Sequence, residues 1–364
     1  MLEVKDMKEQ KIGGNLIFNN PSFDNHEQVV FCHDKGTGLK AIIAIHNTTL
    51  GPALGGTRMW LYKTEEEAVN DVLRLSRGMT YKAAISGLQL GGGKAVIFGD
   101  SKKDKTPELF MKYGQFIESL NGKYITAEDV GTSTTDMVNV KKSTNHVTGL
   151  PLEMGGGGDP SPVTAYGVYM GMKAAAKKSW GDDSLKGKKI AIQGVGHVGE
   201  NLVRLVTEEN AKVYVTDINQ EQLKIIASKY GAEIVGLEDI YDLDVDIYAP
   251  CALGATLNTE HIARLKCAIV SGAANNQLEN EDIHGRMLTD KGILYAPDFL
   301  INAGGLINVY SELKGYDRKS ALSHTEKIYD TTLEIFNKAS IENITTVEAA
   351  SRIAEERIAA FKNK

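Results

Sequence analysis

Two short apolar runs rich in β-branched residues, 29–32 (VVFC) and 41–46 (AIIAIH), predict paired strands joined by a DKGTG turn. Residues 51–59 (GPALGGTRM) break that pattern and read as a loop whose glycines let the backbone approach something closely. A helix follows. Thr64 and Glu67 have capping-box spacing, and Ala68, Val69, Val72, Leu73, Leu75 and Met79 recur on one helical face. If the helix continues past Gly78, Lys82 falls on that same buried face. Residues 94–98 (KAVIF) predict a strand, entered through a turn of three glycines, 91–93. Residues 107–120 predict a helix, and 124–127 a strand ending in Glu128, Asp129 and a glycine turn, where Asp136 can cap the next helix.

The second half changes character at residues 151–162 (PLEMGGGGDPSP), which cannot be the interior of a regular element. A helix over 163–178 follows, then a strand at 188–193 that runs into Gly194-Val195-Gly196-His197-Val198-Gly199. This motif opens a helix, and the next strand, 212–216, ends in Asp217. Strand, G-x-G-x-x-G, helix, strand and acid make up a dinucleotide site: the glycines admit a pyrophosphate to a helix N-terminus, and the acid accepts ribose hydroxyls. A carboxylate there repels a 2′-phosphate, so NAD is expected rather than NADP. Strands at 245–249, 268–271 and 293–296 each end in a small-residue turn, where Asn275, Asn276 and Asn302 are placed to meet nicotinamide or substrate. Helices over 319–338 and from Thr345 to Phe361 close the chain. The pattern predicts an α/β protein of two domains flanking a cleft. Residues 1–148 form the first; residues 149–339 form a Rossmann-type dinucleotide-binding domain, with hinge motion at Gly155–Gly158. The last helix, about 340–364, packs back on a domain or subunit face.

Composition narrows the class. With 41 basic and 47 acidic residues, the net charge of −6 offers no basic field for nucleic acid. The N-terminus, MLEVKDMKEQKIGG, is charged and lacks an apolar leader, and no apolar run reaches membrane-spanning length. Three scattered cysteines, Cys32, Cys251 and Cys267, indicate neither a disulfide framework nor a metal site. A protein of the reducing cytoplasm is expected.

The candidate chemistry centres on Lys82 and Lys94, two lysines in apolar, glycine-rich surroundings. Buried lysines are disfavoured as cations and become usable bases near neutral pH. The GGGK segment is not a phosphate loop: Leu88 stands where a Walker motif needs glycine, Ala95 where it needs Ser or Thr, and a strand follows instead of a helix. Asp129 at a strand end is suited to catalysis, although turn or cap chemistry would also explain it.

Taken together, GPALGGTRM, YKAAISGLQLGGGKAVI, YITAEDVGT, GDPSPVTAYGVY, GVGHVG with Asp217, and INAGGLINV resemble the glutamate, leucine, phenylalanine and valine dehydrogenase family, in family order from residue 51 to 309. The first motif is most like the leucine-acting branch. The resemblance implies a first domain for substrate binding and oligomerisation, and NAD-dependent reversible oxidative deamination of an L-amino acid. It implies Lys94 as catalytic base, Lys82 on the substrate α-carboxylate, and Asp129 in proton transfer to and from the amino group. It further implies Gly55, Gly56, Thr148 and Asn276 at the substrate; Thr164, Ala252 and Asn276 at the cofactor; and a homo-oligomer, an octamer in leucine dehydrogenases. Glutamate-specific members carry a lysine where Leu54 stands and a serine where Leu306 stands. Leu54, Met79, Ala127 and Leu306 therefore suggest an apolar pocket for leucine and other branched-chain amino acids. Phenylalanine or valine is the alternative within the family; a non-catalytic NAD-binding regulatory protein is the alternative outside it.

Overall fold

In the computed structural model, which describes residues 17–362, two sheets organise the chain. The N-terminal stretch read above as lacking a leader, and the end of the closing helix, lie outside the described residues. The first sheet comprises β1 (Gln28–Asp34), β2 (Leu39–Asn47), β3 (Ala53–Trp60), β4 (Gly91–Phe98) and β5 (Tyr124–Glu128), in the order β1-β2-β4-β3-β5. β1, β2 and β4 pair antiparallel, and β3 pairs parallel with both β4 and β5.

Helix α1 (Glu65–Ile85) covers one face of this sheet. Thr64 caps it as its spacing predicts, its Oγ1 accepting the Glu67 N–H at 3.1 Å. The Glu67 carboxylate accepts the Lys63 N–H rather than that of the cap residue. The helix runs unbroken through Gly78, and Ala68, Val72 and Leu73 pack on Ile42, Ala44 and Val96. Helices α2 (Pro107–Ser119) and α3 (Thr134–Lys141) cover the opposite face, where Leu109, Phe110 and Tyr113 meet Ala53, Met59 and Ala95. Asp136 caps α3 by accepting the Ser133 N–H at 2.8 Å.

Two expectations are corrected here. GPALGGTRM is not a loop: its last seven residues begin β3, which lies between β4 and β5. Nor are the three glycines a turn, since Gly91–Gly93 begin β4. A side chain on Gly91 would meet the Asn47 carbonyl oxygen at 2.0 Å, one on Gly92 the Thr80 nitrogen at 2.1 Å, and one on Gly93 the Tyr124 ring at 2.7 Å. Glycine is required there because helix and neighbouring strands crowd the backbone.

The second sheet is parallel and six-stranded, in the order β11-β10-β9-β6-β7-β8. After α4 (Ser161–Trp180) the chain runs β6 (Lys189–Gln193), α5 (His197–Glu208), β7 (Lys212–Thr216), α6 (Gln220–Tyr230) and β8 (Glu233–Ile234). It then crosses to the other side of β6 for β9 (Ile247–Pro250), α7 (Thr259–Arg264), β10 (Ile269–Val270), α8 (Glu281–Asp290) and β11 (Leu294–Tyr295). The reversal falls between β6 and β9, which is where open α/β sheets bind ligands. Helices α9 (Asp298–Ile301), α10 (Gly304–Glu312), α11 (Arg318–Glu342) and α12 (Thr346–Lys362) complete the chain. α12 packs on both α11 and α1: Tyr81 donates to Glu355 at 2.8 Å, and Arg357 donates to the Ile85 carbonyl. Among the described residues, no helix is long and apolar enough to cross a membrane.

Candidate active site

Strand alternation puts Leu54, Gly56 and Arg58 of β3 on the α1 face of the first sheet, with Ile125, Ala127 and Asp129 from β5 and its end beside them. Lys94 of β4 lies between the Leu54–Gly92 and Thr57–Ala95 register pairs. Its Nζ is 2.8 Å from Asp129 Oδ2, and Lys94 is only 6% exposed. Arg58, which reading the segment as a loop concealed, donates from Nε to the same oxygen at 3.2 Å and from Nη1 to Asp71 at 2.9 Å. Burial opposes the charge on Asp129, but Lys94 and Arg58 outweigh it and hold its carboxyl below the usual range.

Lys82 comes down from α1 and donates to Asn302 Oδ1 at 2.6 Å, joining the first domain to the second. Burial lowers its pKa to about 8, with the charge of Asp298 resisting the fall and that of Lys94 adding to it. Asn302 is itself fixed, its Nδ2 donating to the Ala273 carbonyl at 3.1 Å and to Asn275 Oδ1 at 2.9 Å. Leu54 and Leu306 are buried in one apolar cluster, against which Met79 packs, and Ala127 is buried nearby on the same sheet face. Beside Asp129 a cavity of about 530 Å³ opens, lined by Glu128, Thr132, Ser133 and Thr134 and reaching Pro160 of the second domain.

Other predicted residues have different surroundings. A side chain on Gly55 would run into the Gly93 carbonyl at 1.6 Å, and one on Gly56 into the Glu128 carbonyl oxygen at 2.6 Å and Asp129 Cβ at 2.8 Å. The need for glycine is met there by the protein's own strands. Thr148 is buried and donates to the Thr126 carbonyl through both N–H and hydroxyl, tying its loop to β5. Asn276 is exposed at a positive φ of 51°, and Asn275 rather than Asn276 bonds Asn302.

The second sheet carries the dinucleotide motif in working geometry. Gly194 turns at φ +99°, and its missing side chain makes room for Ala252, 2.8 Å from the ideal Cβ. Gly199 lets α5 approach the Gly194 carbonyl, while around Gly196 a side chain would meet nothing within 4 Å. No side chain caps α5, so its first N–H groups are available to a pyrophosphate. Asp217 stands at the end of β7, accepting the Val195 N–H at 2.7 Å and the Asn219 N–H at 2.8 Å. His197 is highly exposed, and Val198 packs on the core behind the loop. Thr164 donates to the Pro160 carbonyl at 3.0 Å, and a side chain on Gly305, in the NAGG segment, would meet its hydroxyl at 2.9 Å. These residues fit a dinucleotide.

Sequence reasoning also missed Glu312 and Asp298. Glu312 accepts the N–H groups of Gly149 and Gly157, each at 2.8 Å; these partners lie some 160 residues away, and no local pattern announces them. Asp298 has a signal in its i, i+4 spacing from Asn302.

A paired-lysine site facing a Rossmann crevice defines a two-domain nicotinamide-dependent dehydrogenase. Residues 26–146 match the family model described as Glu/Leu/Phe/Val dehydrogenase, dimerisation domain, and residues 155–219 and 214–363 match Glutamate/Leucine/Phenylalanine/Valine dehydrogenase. The leucine dehydrogenase of Thermoactinomyces intermedius is 57% identical over 342 residues, covering 94% of this chain and 93% of that one. The phenylalanine dehydrogenase of Caldalkalibacillus thermarum is 52% identical over 338 residues, covering 92% and 91%. The crystal structure of L-tryptophan dehydrogenase from Nostoc punctiforme superposes with a TM-score of 0.84 at 48% identity, covering 93% of this chain and 98% of that one. The chain belongs to the Glu/Leu/Phe/Val dehydrogenase family and is an amino-acid dehydrogenase that uses a nicotinamide cofactor.

Proposed function

We propose that this enzyme catalyses the reversible, NAD-dependent oxidative deamination of L-leucine and related branched-chain amino acids to the 2-oxo acid and ammonia. What supports this reading is that Leu54 and Leu306 are both buried in one apolar cluster, against which Met79 packs, while Lys94 pairs with Asp129 and Lys82 bonds Asn302. An acidic side chain there would be desolvated without a partner. In this reading Lys82 binds the α-carboxylate. The bound cofactor supplies a hydride acceptor for the substrate Cα. Lys94 takes a proton from the water that attacks the resulting iminium carbon, and the 2.8 Å contact passes protons between Lys94 and Asp129. The lowered pKa of Asp129 suits it to handing protons on rather than storing them.

NAD is favoured over NADP because Asp217 places a carboxylate at the ribose position. A division near Gly149 with a hinge at Gly155–Gly158 is supported by the positive φ of Gly155 and Gly158, 84° and 67°; Glu312 ties Gly149 to Gly157 across this joint, so hinge motion would have to break that tie. A homo-oligomer is supported by the dimerisation domain named in the matched family model, and eight subunits is the number that the resemblance to leucine dehydrogenases implies. The free cysteines accord with a cytoplasmic setting.

Mixing the protein with leucine and NAD is expected to produce the absorbance of NADH; no rise would sink the proposal. A parallel screen of aliphatic, aromatic and acidic amino acids, each with NAD and NADP, tests the substrate and cofactor preferences. Lys94→Ala is expected to cut kcat by about 10³-fold or more while NADH still binds, as its fluorescence would show. An active Lys94→Ala enzyme would assign the base elsewhere.

A further inference from the structure

Lys82 presents a problem that Lys94 does not. It must be charged to hold a carboxylate, yet it reaches across to the second domain into a partly buried position beside another lysine. A counter-charge is needed there, and Asp129 is already engaged by Lys94 and Arg58. The remaining carboxylate is Asp298, the first residue of α9, 8% exposed and in a helix that packs against α1. One helical turn on, Asn302 takes the Lys82 hydrogen bond at 2.6 Å, and its backbone N–H bonds the Asp298 carbonyl at 2.9 Å. The Asp298 carboxylate accepts the Gln277 N–H at 2.9 Å, and its backbone N–H faces the Tyr295 hydroxyl at 3.4 Å. Through Gln277 it steadies the 272–277 loop, whose carbonyls also hold Asn302.

We propose that Asp298 is a positioning residue for substrate binding: from the cofactor domain, its buried carboxylate is the counter-charge that keeps the Lys82 ammonium ready for the substrate carboxylate when the two domains meet. In this role it acts through Lys82. The inference rests on the proposed carboxylate role of Lys82. The charged groups facing Lys82 are Asp298 from α9, Lys94 from β4 and Asp129 from the end of β5. Those facing Asp298 are Lys82, Glu281 at the start of α8 and the hydroxyl of Tyr295.

The sign follows from the lysine. Its charged form is lost as pH rises through about 8, so carboxylate affinity is complete below that pH and falls tenfold per unit above it. Without the Asp298 charge the loss begins at lower pH. The experiment measures the affinity of 4-methylpentanoate, leucine without its amino group, for the NADH-bound enzyme by fluorescence across a pH series. Wild type should lose affinity with a midpoint near 8. Asp298→Asn keeps the shape and an acceptor for Gln277. It should move the midpoint down by about one unit and weaken binding about tenfold at high pH while leaving it within about threefold at low pH. NADH affinity should be unchanged.

A loss equal at every pH, or an unmoved midpoint, would make Asp298 merely structural and overturn the inference. If Asp298→Asn fails to fold, Asp298→Ser takes its place: a midpoint lower by about one unit supports the inference and an unmoved midpoint overturns it, as does a flat wild-type profile. Lys82→Met separates the two readings. If it leaves 4-methylpentanoate affinity intact, the carboxylate role itself falls. If it abolishes affinity while Asp298→Asn leaves the midpoint in place, only the role of Asp298 falls.

Discussion

A methyl group added to Gly92 in the first sheet would sit 2.1 Å from the backbone nitrogen of Thr80; one added to Gly196 in the second would meet nothing within 4 Å. Both glycines belong to clusters beside a parallel strand pairing, and both clusters lie close to the proposed chemistry. The first is glycine because the protein fills the space itself: α1 presses onto β4, which sets how near Lys82 and Lys94 come. The second is glycine because the protein leaves the space open. A glycine-rich motif therefore marks a close approach, and only the surroundings tell whether helix or ligand makes it.

Exchanging the glycines breaks the comparison most strongly in the first sheet. Gly92→Ala is expected to cost about 3 kcal/mol or more of stability, because backbone rather than a flexible side-chain tip blocks the new methyl. Thermal unfolding would read this as a large fall in Tm or as insoluble protein. A variant as stable as wild type would mean that α1 can lift from β4 at little cost.

Gly196→Ala should behave the opposite way. Stability should stay within about 1 kcal/mol, because the space is open in the unliganded chain. NADH affinity should fall by about tenfold or more, because the methyl occupies the approach of the pyrophosphate. Measuring Tm and NADH affinity on the same sample sharpens the contrast: loss of both would make the second cluster structural like the first.

The same contrast explains what could be read from the chain alone. The Rossmann half was legible because its motif is local: strand, glycines, helix and acid lie within 30 residues, and each has a fixed geometric job. The lysines were legible because the α1 stripe extends to Lys82 and the apolar run after Lys94 reads as a strand, although that strand begins three residues earlier, at Gly91. β3 was misread because two adjacent glycines look like a turn, although the reason for them, the Gly93 carbonyl and Asp129 on the flanking strands, is distant in sequence. Arg58 was lost with it, since alternation is applied only to what is recognised as a strand. The Asp298–Gln277 and Glu312–Gly149 contacts join segments that only the folded chain brings together.

The smallest expected effect concerns the acid that closes the open cluster. Asp217 holds the Val195 N–H at 2.7 Å and the Asn219 N–H at 2.8 Å, so it shapes the loop in addition to its proposed role at the ribose. In Asp217→Ser a hydroxyl still accepts one N–H, and the stability cost should be about 1 kcal/mol. The change lies in selectivity. Removing the carboxylate removes both the acceptor for ribose hydroxyls and the repulsion of a 2′-phosphate. The ratio of kcat/KM for NAD to that for NADP should fall about tenfold, chiefly through KM, with kcat on NAD within a few-fold. An unchanged ratio would mean that selectivity comes from elsewhere in the crevice. The Asp217 carboxylate would then serve the loop that Gly196 opens, and the second cluster would share more of the first one's structural character than its empty space suggests.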